Sequence, residues 1–542
     1  MESRSQKTLL VITAIAFAVT AWSISIDPAR AQVSKELTPR EKRGKEIYLN
    51  GSSVGGVIVA ALGSGDLEVP AGSFPCSNCH GLRGEGSREG GIQPPRLDWR
   101  SLSSASESQL TRNSRGAYTE ALLARAISFG LDANGARLHP GMPRYKMTAA
   151  QMGGLIAYLK RIGEEPDFDP GLSEDSIKVG AALPMSGALA KIGDDIKAAL
   201  GACFLEINSK GGIYGRRVEM LIEDSQGDPA GTLQATRRLV EQDNVFALLG
   251  SFEPQGSGET NEFLSQNQVP LIGPVTLSPR LPAVPSPYVF YLLPGFSEQV
   301  RSLVDFVGSE QTRPKARPAS RIAVVYSESE FDRDALEGLR SQMKIYSMQV
   351  VVEHRYEAGA MGSVSAVKHV AANNPDYIFF FGGGNDLERF AGEIDRARID
   401  AGILSSAVMV GRAAFSLPPA VAARTYLAYP FSLPEGGKLS DFIATMQRGG
   451  VSLRNAPFQT VAYAAARVFI EAARNASRQI SRKGLIDSLE RLQDYQTGVI
   501  GPVTFGANRR IGASGSYIVR IDSTRKQYVA VSERIVPTGG DQ

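Results

Sequence analysis

The sequence predicts a multidomain chain in which a small all-α unit is followed by a two-lobed α/β unit. With 542 residues, the chain is long enough for two or three domains. Two helical patterns with capping signals enclose a motif of cysteine and histidine in the first third. Beyond it, strand-like and helical segments alternate in two successive runs, which indicates two parallel sheets covered by helices.

The composition excludes several classes of protein. The chain is 43% hydrophobic and 21% charged, as ordinary globular proteins are. Its formal net charge is +3, and no basic stripe carries interleaved aromatic residues, so nucleic acid is not an expected partner. Three cysteines are too few for a disulfide framework. One of them, Cys203, lies in an apolar stretch and is expected to be a buried small hydrophobe.

Residues 1–31 are predicted to be a cleaved secretory signal peptide. Arg4 and Lys7 give its positive start, Leu9–Ile26 its apolar run, and residues 29–31 (Ala-Arg-Ala) its cleavage site. The apolar run is nearly long enough to remain as a membrane anchor, but several hydroxyl residues dilute it. The expected location of the mature protein is therefore the periplasm.

Two capping boxes mark the helices at either end of the first unit. Residues 38–41 (Thr-Pro-Arg-Glu) pair a threonine with a glutamate three positions later and place proline at the first helical position. Residues 148–151 (Thr-Ala-Ala-Gln) repeat the box, and an amphipathic stripe of apolar residues follows. We therefore expect a helix after Thr38 and another after Thr148.

The clearest chemistry lies in the sequence Cys-Ser-Asn-Cys-His at residues 76–80. Two cysteines with two residues between them can reach the two vinyl groups of one porphyrin, and the next histidine is carried beneath the ring. This pattern predicts one covalently attached haem c, bound through Cys76 and Cys79. His80 is then the proximal iron ligand. Because c-type haem is attached outside the bacterial cytoplasm, the motif agrees with export.

Residues 38–163 resemble class I cytochrome c. In that family, a glycine and an aromatic residue of the N-terminal helix cross an aliphatic and an aromatic residue of the C-terminal helix. Gly44, Tyr48, Leu155 and Tyr158 match this crossing. The resemblance implies a small helical fold around one haem.

The resemblance also implies that the second iron ligand is a methionine before a proline, and Met142 occupies that position. Two alternatives remain. His139 would give a bis-histidine haem of lower potential, whereas Met147 is better suited to packing against the haem edge. Ligation by histidine and methionine raises the reduction potential and leaves no open position on iron. It therefore favours electron transfer over oxygen chemistry, and no enzymatic activity is expected.

Two further segments bear on the haem. The loop at residues 90–95 resembles the family's loop whose proline carbonyl accepts the proximal imidazole N–H, and Pro94 and Pro95 both qualify. The Gly- and Val-rich insert Gly51–Ser73 departs from the compact family form. We expect a surface hairpin there, with a partner-docking flap as the alternative.

The domain boundaries follow from these patterns. After the signal peptide, residues 32–163 are the predicted cytochrome c domain. Residues 164–176 are acidic, contain prolines and lack periodicity, which is typical of a linker. The second domain is expected over residues 177–542.

Apolar strand-like runs and helical segments alternate through this second domain. The first run has predicted strands at Ile177–Leu183, Arg217–Glu223, Val245–Leu249 and Val269–Ile272, and helices at Lys191–Asn208, Pro229–Asp243 and Ser257–Asn267. The second run has predicted strands at Arg321–Tyr326, Gln349–His354, Tyr377–Phe381 and Ala407–Val410. Two such lobes in one chain predict a cleft at the carboxyl ends of their strands.

Several stretches resemble the periplasmic solute-binding proteins of the branched-chain amino-acid (leucine/isoleucine/valine-binding) type. They include Ile177–Gly187, Ile207–Arg216 and Thr497–Phe505, and the resemblance runs over about residues 176–535. It implies a type I periplasmic-binding-protein fold, in which three crossover strands join two lobes that close on a small molecule. Fold alone does not identify that molecule.

In relatives that bind amino acids, two loops of the first lobe hold the ligand carboxylate. The residues with suitable side chains in these loops are Gln255, Ser257, Thr276 and Ser278. Glu253 and Pro254 occupy places where the relatives usually keep small or hydroxyl residues. The second lobe normally provides an acid for the ligand ammonium, but an approximate alignment places Arg412 there. A cation there disfavours an α-amino acid and favours a ligand with a second anionic or a neutral polar group. The alternative is that the alignment is shifted by a few residues and that Arg412 is solvated.

The leading hypothesis is a periplasmic electron carrier whose second domain binds a small molecule or docks a partner. By analogy, its redox partner is a periplasmic quinoprotein dehydrogenase. The rival hypothesis is an ABC-transporter solute receptor that passes an amino acid or a carboxylate to an ABC permease, with the haem as a redox sensor.

Overall fold

The structure is a computed structural model that describes residues 37–52, 56–63, 67–81, 83–86, 94–107, 114–163, 168–254, 258–276, 279, 285–311, 321–327, 329–359, 364–434, 437, 439–454, 456–476 and 480–539. The chain divides into two compact units, Met1–Asp167 and Phe168–Gln542. The predicted signal peptide lies outside the described residues. Among the described helices, none combines the length and the apolar character that a membrane crossing requires.

The first unit is mainly helical, and its described strands form a three-stranded sheet and a two-stranded sheet. Its helices are α1 (Pro39–Asn50), α2 (Cys76–His80), α3 (Trp99–Leu102), α4 (Glu120–Phe129) and α5 (Ala149–Leu159), and its strands are β1 (Val59–Leu62), β2 (Leu67–Pro70), β3 (Ser106–Glu107), β4 (Ser114–Arg115) and β5 (Arg144–Lys146). Strands β1 and β2 form an antiparallel hairpin within the insert, as expected. The hairpin does not stand alone, because β1 also pairs with β5. Strands β3 and β4 form the two-stranded sheet.

Both predicted capping boxes form. The backbone N–H of Thr38 donates to Glu41 Oε2 at 2.7 Å, and the threonine hydroxyl accepts from Glu41 N. The backbone N–H of Thr148 donates to Gln151 Oε1 at 2.8 Å in the same manner. Each box satisfies backbone donors that the first helical turn leaves unpaired, which fixes where α1 and α5 begin.

Helices α1 and α5 cross at the residues that the resemblance indicates. A Cβ atom on Gly44 would lie 2.0 Å from the carbonyl oxygen of Gly154, so only glycine allows this approach. Beside the contact, the rings of Tyr48 and Tyr158 pack with centroids 5.6 Å apart. Tyr48, Leu155 and Tyr158 are all buried, so the crossing is the centre of the first unit's core.

The second unit contains two sheets. Its strands are β6 (Ser176–Leu183), β7 (Arg217–Asp224), β8 (Ala247–Leu249), β9 (Leu271–Ile272), β10 (Val289–Phe290), β11 (Arg321–Ser327), β12 (Gln349–Tyr356), β13 (Tyr377–Phe381), β14 (Gly402–Ser406), β15 (Thr425–Tyr429), β16 (Tyr517–Asp522) and β17 (Gln527–Ala530). Its helices are α6 (Ala190–Ser209), α7 (Pro229–Arg237), α8 (Gly258–Gln266), α9 (Phe296–Gln311), α10 (Glu330–Met343), α11 (Val364–Asn373), α12 (Gly384–Arg396), α13 (Ala407–Val410), α14 (Pro419–Ala422), α15 (Ser440–Arg448), α16 (Ala456–Asn475) and α17 (Arg482–Glu490).

The two sheets define two lobes. The first sheet has the order β10-β9-β8-β6-β7, and all of its pairs are parallel. The second has the order β12-β11-β13-β14-β15-β16-β17 and is parallel up to β15, after which β16 and β17 run antiparallel. The chain passes between the lobes after β10, after β15 and before β16, which gives the three crossovers that the resemblance implies. Cys203 is buried on α6, as expected of a small hydrophobe.

One predicted strand is wrong. Residues Ala407–Val410 form helix α13, and the strand is β14, which ends at Ser406. The Ser406 hydroxyl accepts a hydrogen bond from Val408 N at 3.2 Å and caps the helix. A run of four apolar residues fits either element, because burial on both sides of a strand and burial of a short helix give the same pattern.

The second unit begins before its first strand. Phe168 is its first residue, so residues 168–175 of the predicted linker belong to it. The carbonyl oxygen of Gly171 accepts from Lys178 N at 2.7 Å. The carboxylate of Asp169 accepts from Arg482 N at 2.7 Å, which joins this segment to the start of α17.

The helix crossing leads to a prediction about stability. Gly44→Ala should lower the free energy of unfolding of the first unit by about 2 kcal/mol, because the new methyl group overlaps the backbone of α5. This loss should appear although alanine is the better helix former by about 1 kcal/mol. The measurement is urea unfolding of the haem-loaded protein, followed by haem absorbance.

The matched control is Gly153→Ala on α5. A Cβ atom there would meet the end of the flexible Arg40 side chain, 2.6 Å away, which can move aside. The control should unfold at the wild-type urea concentration or above it. Equal losses in the two variants would contradict the close backbone contact at Gly44.

Candidate functional site

An apolar cavity of about 460 Å³ lies in the first unit. Its volume is within the usual range of cofactor sites. All four predicted haem residues line it: Cys76, Cys79, His80 and Met142. The remaining lining comes from helices α1, α3, α4 and α5, from strand β5 and from loop residues of the same unit, for example Leu123, Ile127, Leu155 and Leu159.

The cysteine motif forms the short helix α2, and α1 holds it in place. Cys76 and Cys79 are three residues apart on this helix, so their side chains share one face. The phenol of Tyr48 on α1 donates to the carbonyl oxygen of Gly81 at 2.6 Å, directly after the motif. The hydroxyl of Ser77 donates to the carbonyl oxygen of Leu49 at 3.3 Å. The motif is therefore anchored at both ends to the helix that crosses α5.

His80 is held in one orientation by a backbone carbonyl. Its Nδ1 lies 3.0 Å from the carbonyl oxygen of Pro95, and because a carbonyl only accepts, Nδ1 carries the proton. The imidazole is buried, and this burial lowers the pKa of His80, although the bond to Pro95 acts in the opposite direction. A neutral ring protonated at Nδ1 keeps the lone pair of Nε2 for a metal. Of the two prolines that the sequence left open, Pro95 makes the contact.

The three candidates for the second iron ligand occupy different places. Met142 is partly buried and lines the cavity. His139 also reaches the lining, but its ring is exposed and its Nδ1 accepts from Gly141 N at 3.1 Å. Met147 is not among the described lining residues. This placement favours Met142, and its role as ligand stays a prediction.

The chemistry of the cavity fits a haem with one histidine and one methionine ligand. The walls are mostly carbon, a neutral imidazole and a thioether reach them, and two thiols stand on one helix face. Two phenols at the wall already have backbone partners, because Tyr48 donates to Gly81 O and Tyr145 donates to Phe74 O at 2.6 Å. Neither phenol therefore needs a polar partner from the cavity.

A second cavity, of about 30 Å³, lies in the second unit at the carboxyl ends of first-lobe strands. The described lining residues are Pro274, Val275, Thr276, Tyr291, Leu292, Leu293, Val408, Phe431, Pro457, Phe458 and Val461. Only Thr276 was predicted, and Gln255, Ser257 and Ser278 lie outside the described residues. The volume equals about one water's share of the liquid, so a solute needs the surrounding side chains or lobes to move apart.

Most of this lining was missed because it comes from segments far apart in the sequence. Tyr291 belongs to the first crossover, Phe431 to the second, and Phe458 to α16. No local motif marks them. The signal that was available is the apolar character of the crossover segments themselves, since such segments form the base of a cleft between two lobes.

Glu253 stands beside this cavity and is only 3% exposed. Its backbone N–H donates to the carbonyl oxygen of Val275 at 3.0 Å. Burial raises the pKa of Tyr291, and the charge of Glu253 raises it further. The phenol also accepts from Asn261 Nδ2 at 3.1 Å. A buried carboxylate therefore lies next to a protonated phenol at the edge of the cavity.

Arg412 does not line this cavity together with Thr276. It is exposed and lies in the 3₁₀ segment Gly411–Ser416, and it is not among the described lining residues. The second lobe reaches the cavity through Val408 instead, four residues earlier. A contact between Arg412 and a solute therefore stays a prediction.

Two family models match the chain. Residues 176–526 match "Periplasmic binding protein", and residues 73–163 match "Cytochrome c". The first match covers more than half of the chain, and the second contains the cysteine motif at residues 76–80 and Met142.

Curated relatives match the second unit. The Leu/Ile/Val-binding protein homolog 8 of Brucella abortus (strain 2308) is 21% identical over 359 residues, which cover 62% of this chain and 85% of the relative. Homolog 2 from the same strain is 31% identical over 109 residues, or 20% of this chain. The chain spans less than two thirds of the first relatives that it matches, 29% of homolog 2 and 60% of homolog 7.

Solved structures match its fold. A fatty acid ABC transporter substrate-binding protein from Thermomonospora curvata superposes with a TM-score of 0.56 at 20% identity, covering 69% of this chain and 95% of that one. A branched chain amino acid ABC transporter from Thermus thermophilus with bound valine has a TM-score of 0.54 at 17% identity, covering 68% and 98%. These likenesses show the two-lobed fold. The chain therefore belongs to the periplasmic binding protein family, and it carries in front of that fold a cytochrome c domain, which implies haem c.

Proposed function

We propose that the protein is a periplasmic c-type cytochrome, an electron carrier fused to a small-molecule-binding domain, and that it serves a periplasmic dehydrogenase system. The observation that carries the proposal is that Cys76, Cys79, His80 and Met142 all line one apolar cavity. We further propose one haem c per chain, attached through the two cysteines. The signal peptide at residues 1–31 would direct the protein to the periplasm.

The residues around the cavity are suited to this role. When bound, haem c supplies reversible one-electron transfer. Pro95 holds the imidazole of His80 in one plane, and the buried Leu155 and Leu159 exclude water from the wall. Burial and a thioether ligand both favour a higher reduction potential. With Met142 in place, no position is left for oxygen or a substrate, so we propose a carrier rather than an enzyme.

For the second unit we propose a small solute with an apolar body, and amino acids and carboxylates are the first classes to test. The described lining of the second cavity is almost entirely apolar. Two solved relatives are named for a fatty acid and for bound valine, and both molecules have an apolar chain that ends in a carboxylate. Glu253 bears on the choice, because a buried carboxylate repels an anionic solute placed beside it.

A second function is favoured by the relatives themselves. Two solved structures of this fold are named for ABC transport. The alternative function is therefore a solute receptor that delivers its solute to an ABC permease and uses the haem as a redox sensor. The two functions make different demands on the redox chemistry. A carrier exchanges electrons at the same rate with and without solute, whereas a sensor needs a solute affinity that depends on the oxidation state.

The first prediction concerns the iron ligand. Met142→Ala should abolish the weak methionine–iron absorption band at the red end of the oxidised spectrum, since it removes the sulfur. Met147→Ala is the matched control and should retain the band, because Met147 is not among the described lining residues. A band that survives in the first variant and disappears in the second would move the ligand to Met147.

The second prediction concerns the redox partner. The haem-loaded protein should be reduced by a periplasmic quinoprotein dehydrogenase at a rate that added solute leaves unchanged, as measured by stopped-flow absorbance. Failure of every periplasmic redox protein to exchange electrons with it would overturn the carrier role. Impaired solute uptake after deletion of the gene would support the receptor instead.

The third prediction concerns the solute. A thermal-shift screen against amino acids, carboxylates and alcohols should raise the melting temperature of the second unit for a ligand with an apolar body, because binding stabilises only the folded state. With a carboxylate ligand, Glu253→Gln should tighten binding about tenfold, or about 1.4 kcal/mol, by removing the like charge.

The matched control for this variant is Glu259→Gln, which removes an exposed carboxylate on α8. It should leave the affinity unchanged, since an exposed charge is screened by solvent. The alcohol that corresponds to the carboxylate ligand should bind both variants as it binds the wild type. An unchanged carboxylate affinity in Glu253→Gln would exclude the proposed repulsion.

A further inference from the structure

The hairpin inserted ahead of the haem motif and the segment after Met142 belong to one sheet. Strand β1 is the central strand and pairs with β2 on one side and with β5 on the other. The register of the second pair places Ala60 opposite Tyr145. Strand β5 begins at Arg144, two residues after Met142, so the backbone of the methionine segment continues directly into the sheet.

Side chains add three ties between the same two segments. The guanidinium of Arg144 donates to the carbonyl oxygen of Gly63, in the hairpin turn. The ammonium of Lys146 pairs with the carboxylate of Glu68 on β2. At the other end, Gln151 Nε2 donates to the carbonyl oxygen of Gly56 at 3.1 Å. The bond from Gln151 to Gly56 should contribute most of the three, because Gln151 is buried and its side chain is already fixed by the capping box.

Tyr145 connects the sheet to the haem motif. Its backbone lies in the register pair with Ala60, and its ring lines the haem cavity. Its phenol donates to the carbonyl oxygen of Phe74 at 2.6 Å, two residues before Cys76. Tyr145 therefore lies opposite the hairpin in the sheet and hydrogen-bonds through its side chain to the segment that precedes the motif.

The hairpin itself does not form the cavity wall. None of the described residues from Gly56 to Pro70 is among the lining residues. Any effect of the hairpin on the iron ligand must therefore pass through β5 or through the bond between Gln151 on α5 and Gly56. A loop held at several points loses little further entropy when its side chain binds, which is how preorganisation strengthens an interaction.

We infer that the β1–β2 hairpin is a clamp that positions the Met142 segment and opposes release of the methionine sulfur from iron. The inference rests on the proposed ligation by Met142. Strand pairing holds the backbone two residues after Met142, so the hairpin would lower the fraction of molecules in which the ligand position of Met142 is open. The hairpin residues act as positioning residues and do not touch the cofactor.

The experiment measures competition by imidazole at that position in the full-length, haem-loaded, oxidised protein. Imidazole nitrogen replaces the Met142 sulfur without any electron transfer, and the methionine–iron band disappears as it binds. Residues 59–70 are replaced by two glycines, which can close the chain because Ala71 N donates to Ile58 O at 2.9 Å. We expect imidazole to bind at least about tenfold more tightly to this variant, equivalent to about 1.4 kcal/mol.

Two point variants keep the test decisive if the shortened protein fails to take up haem. Gln151→Glu retains the acceptor for Thr148 N but loses the donor to Gly56 O, so imidazole should bind about threefold more tightly, or about 0.65 kcal/mol by RT ln 3. Thr38→Ala is the control. It removes the cap of α1 and lowers the urea midpoint of the whole unit, but it should leave the imidazole affinity unchanged.

The outcomes separate the inference from the proposed function. A wild-type protein that lacks the methionine–iron band would overturn ligation by Met142. A wild type with the band, together with wild-type imidazole affinity in both hairpin variants, would overturn the clamp alone. Equal tightening in Thr38→Ala would also overturn it, because global loss of stability would then explain the effect.

Discussion

The close contact of α1 with α5 at Gly44 is the constraint on which the first unit depends. It brings Tyr48 into the core beside Tyr158, and from there the Tyr48 phenol reaches the carbonyl of Gly81. That bond fixes the end of α2, and α2 carries His80. A backbone-to-backbone approach that only glycine permits thus sets the position of His80, the predicted haem ligand.

The second unit is organised by its crossovers. The cavity beside Thr276 takes Tyr291 and Phe431 from two of the three crossing segments and Phe458 from α16. Residues at such a base are in contact with both lobes, so their packing responds to any change in the angle between the lobes. A buried polar group beside them is Glu253, whose loop forms a parallel bridge with Val275.

Local signals were sufficient for much of this architecture. The capping boxes at Thr38 and Thr148 are recognised within four residues each, and both form as predicted. The cysteine motif is equally local, and its residues line one cavity, while their attachment to haem stays a prediction. Where two neighbouring residues had the same chemistry, the sequence was insufficient: Pro94 and Pro95 differ only in which carbonyl the loop turns toward His80. Such a choice depends on the path of the backbone in three dimensions.

Other features were not accessible because they are non-local. An apolar run at Ala407–Val410 satisfies a strand pattern and a helix pattern equally, and the Ser406 cap decides between them. The hairpin precedes the cysteine motif in the sequence and β5 follows it, and no periodicity in either segment predicts that they pair. The cleft position assigned to Arg412 stays a prediction, because it depends on how the two lobes bring together residues that are far apart in the sequence.

The order of strands in the three-stranded sheet β2-β1-β5 also has a consequence for the kinetics of folding. Strand β1 precedes the haem motif and its partner β5 follows it, so pairing Ala60 with Tyr145 encloses the whole motif in one chain loop. Contacts between residues so far apart in sequence form late in folding, because the entropy of closing the loop must be overcome first. The β1–β2 pair is local and can form early. The two cysteines of the motif are therefore accessible in the folding chain before β5 pairs with the hairpin.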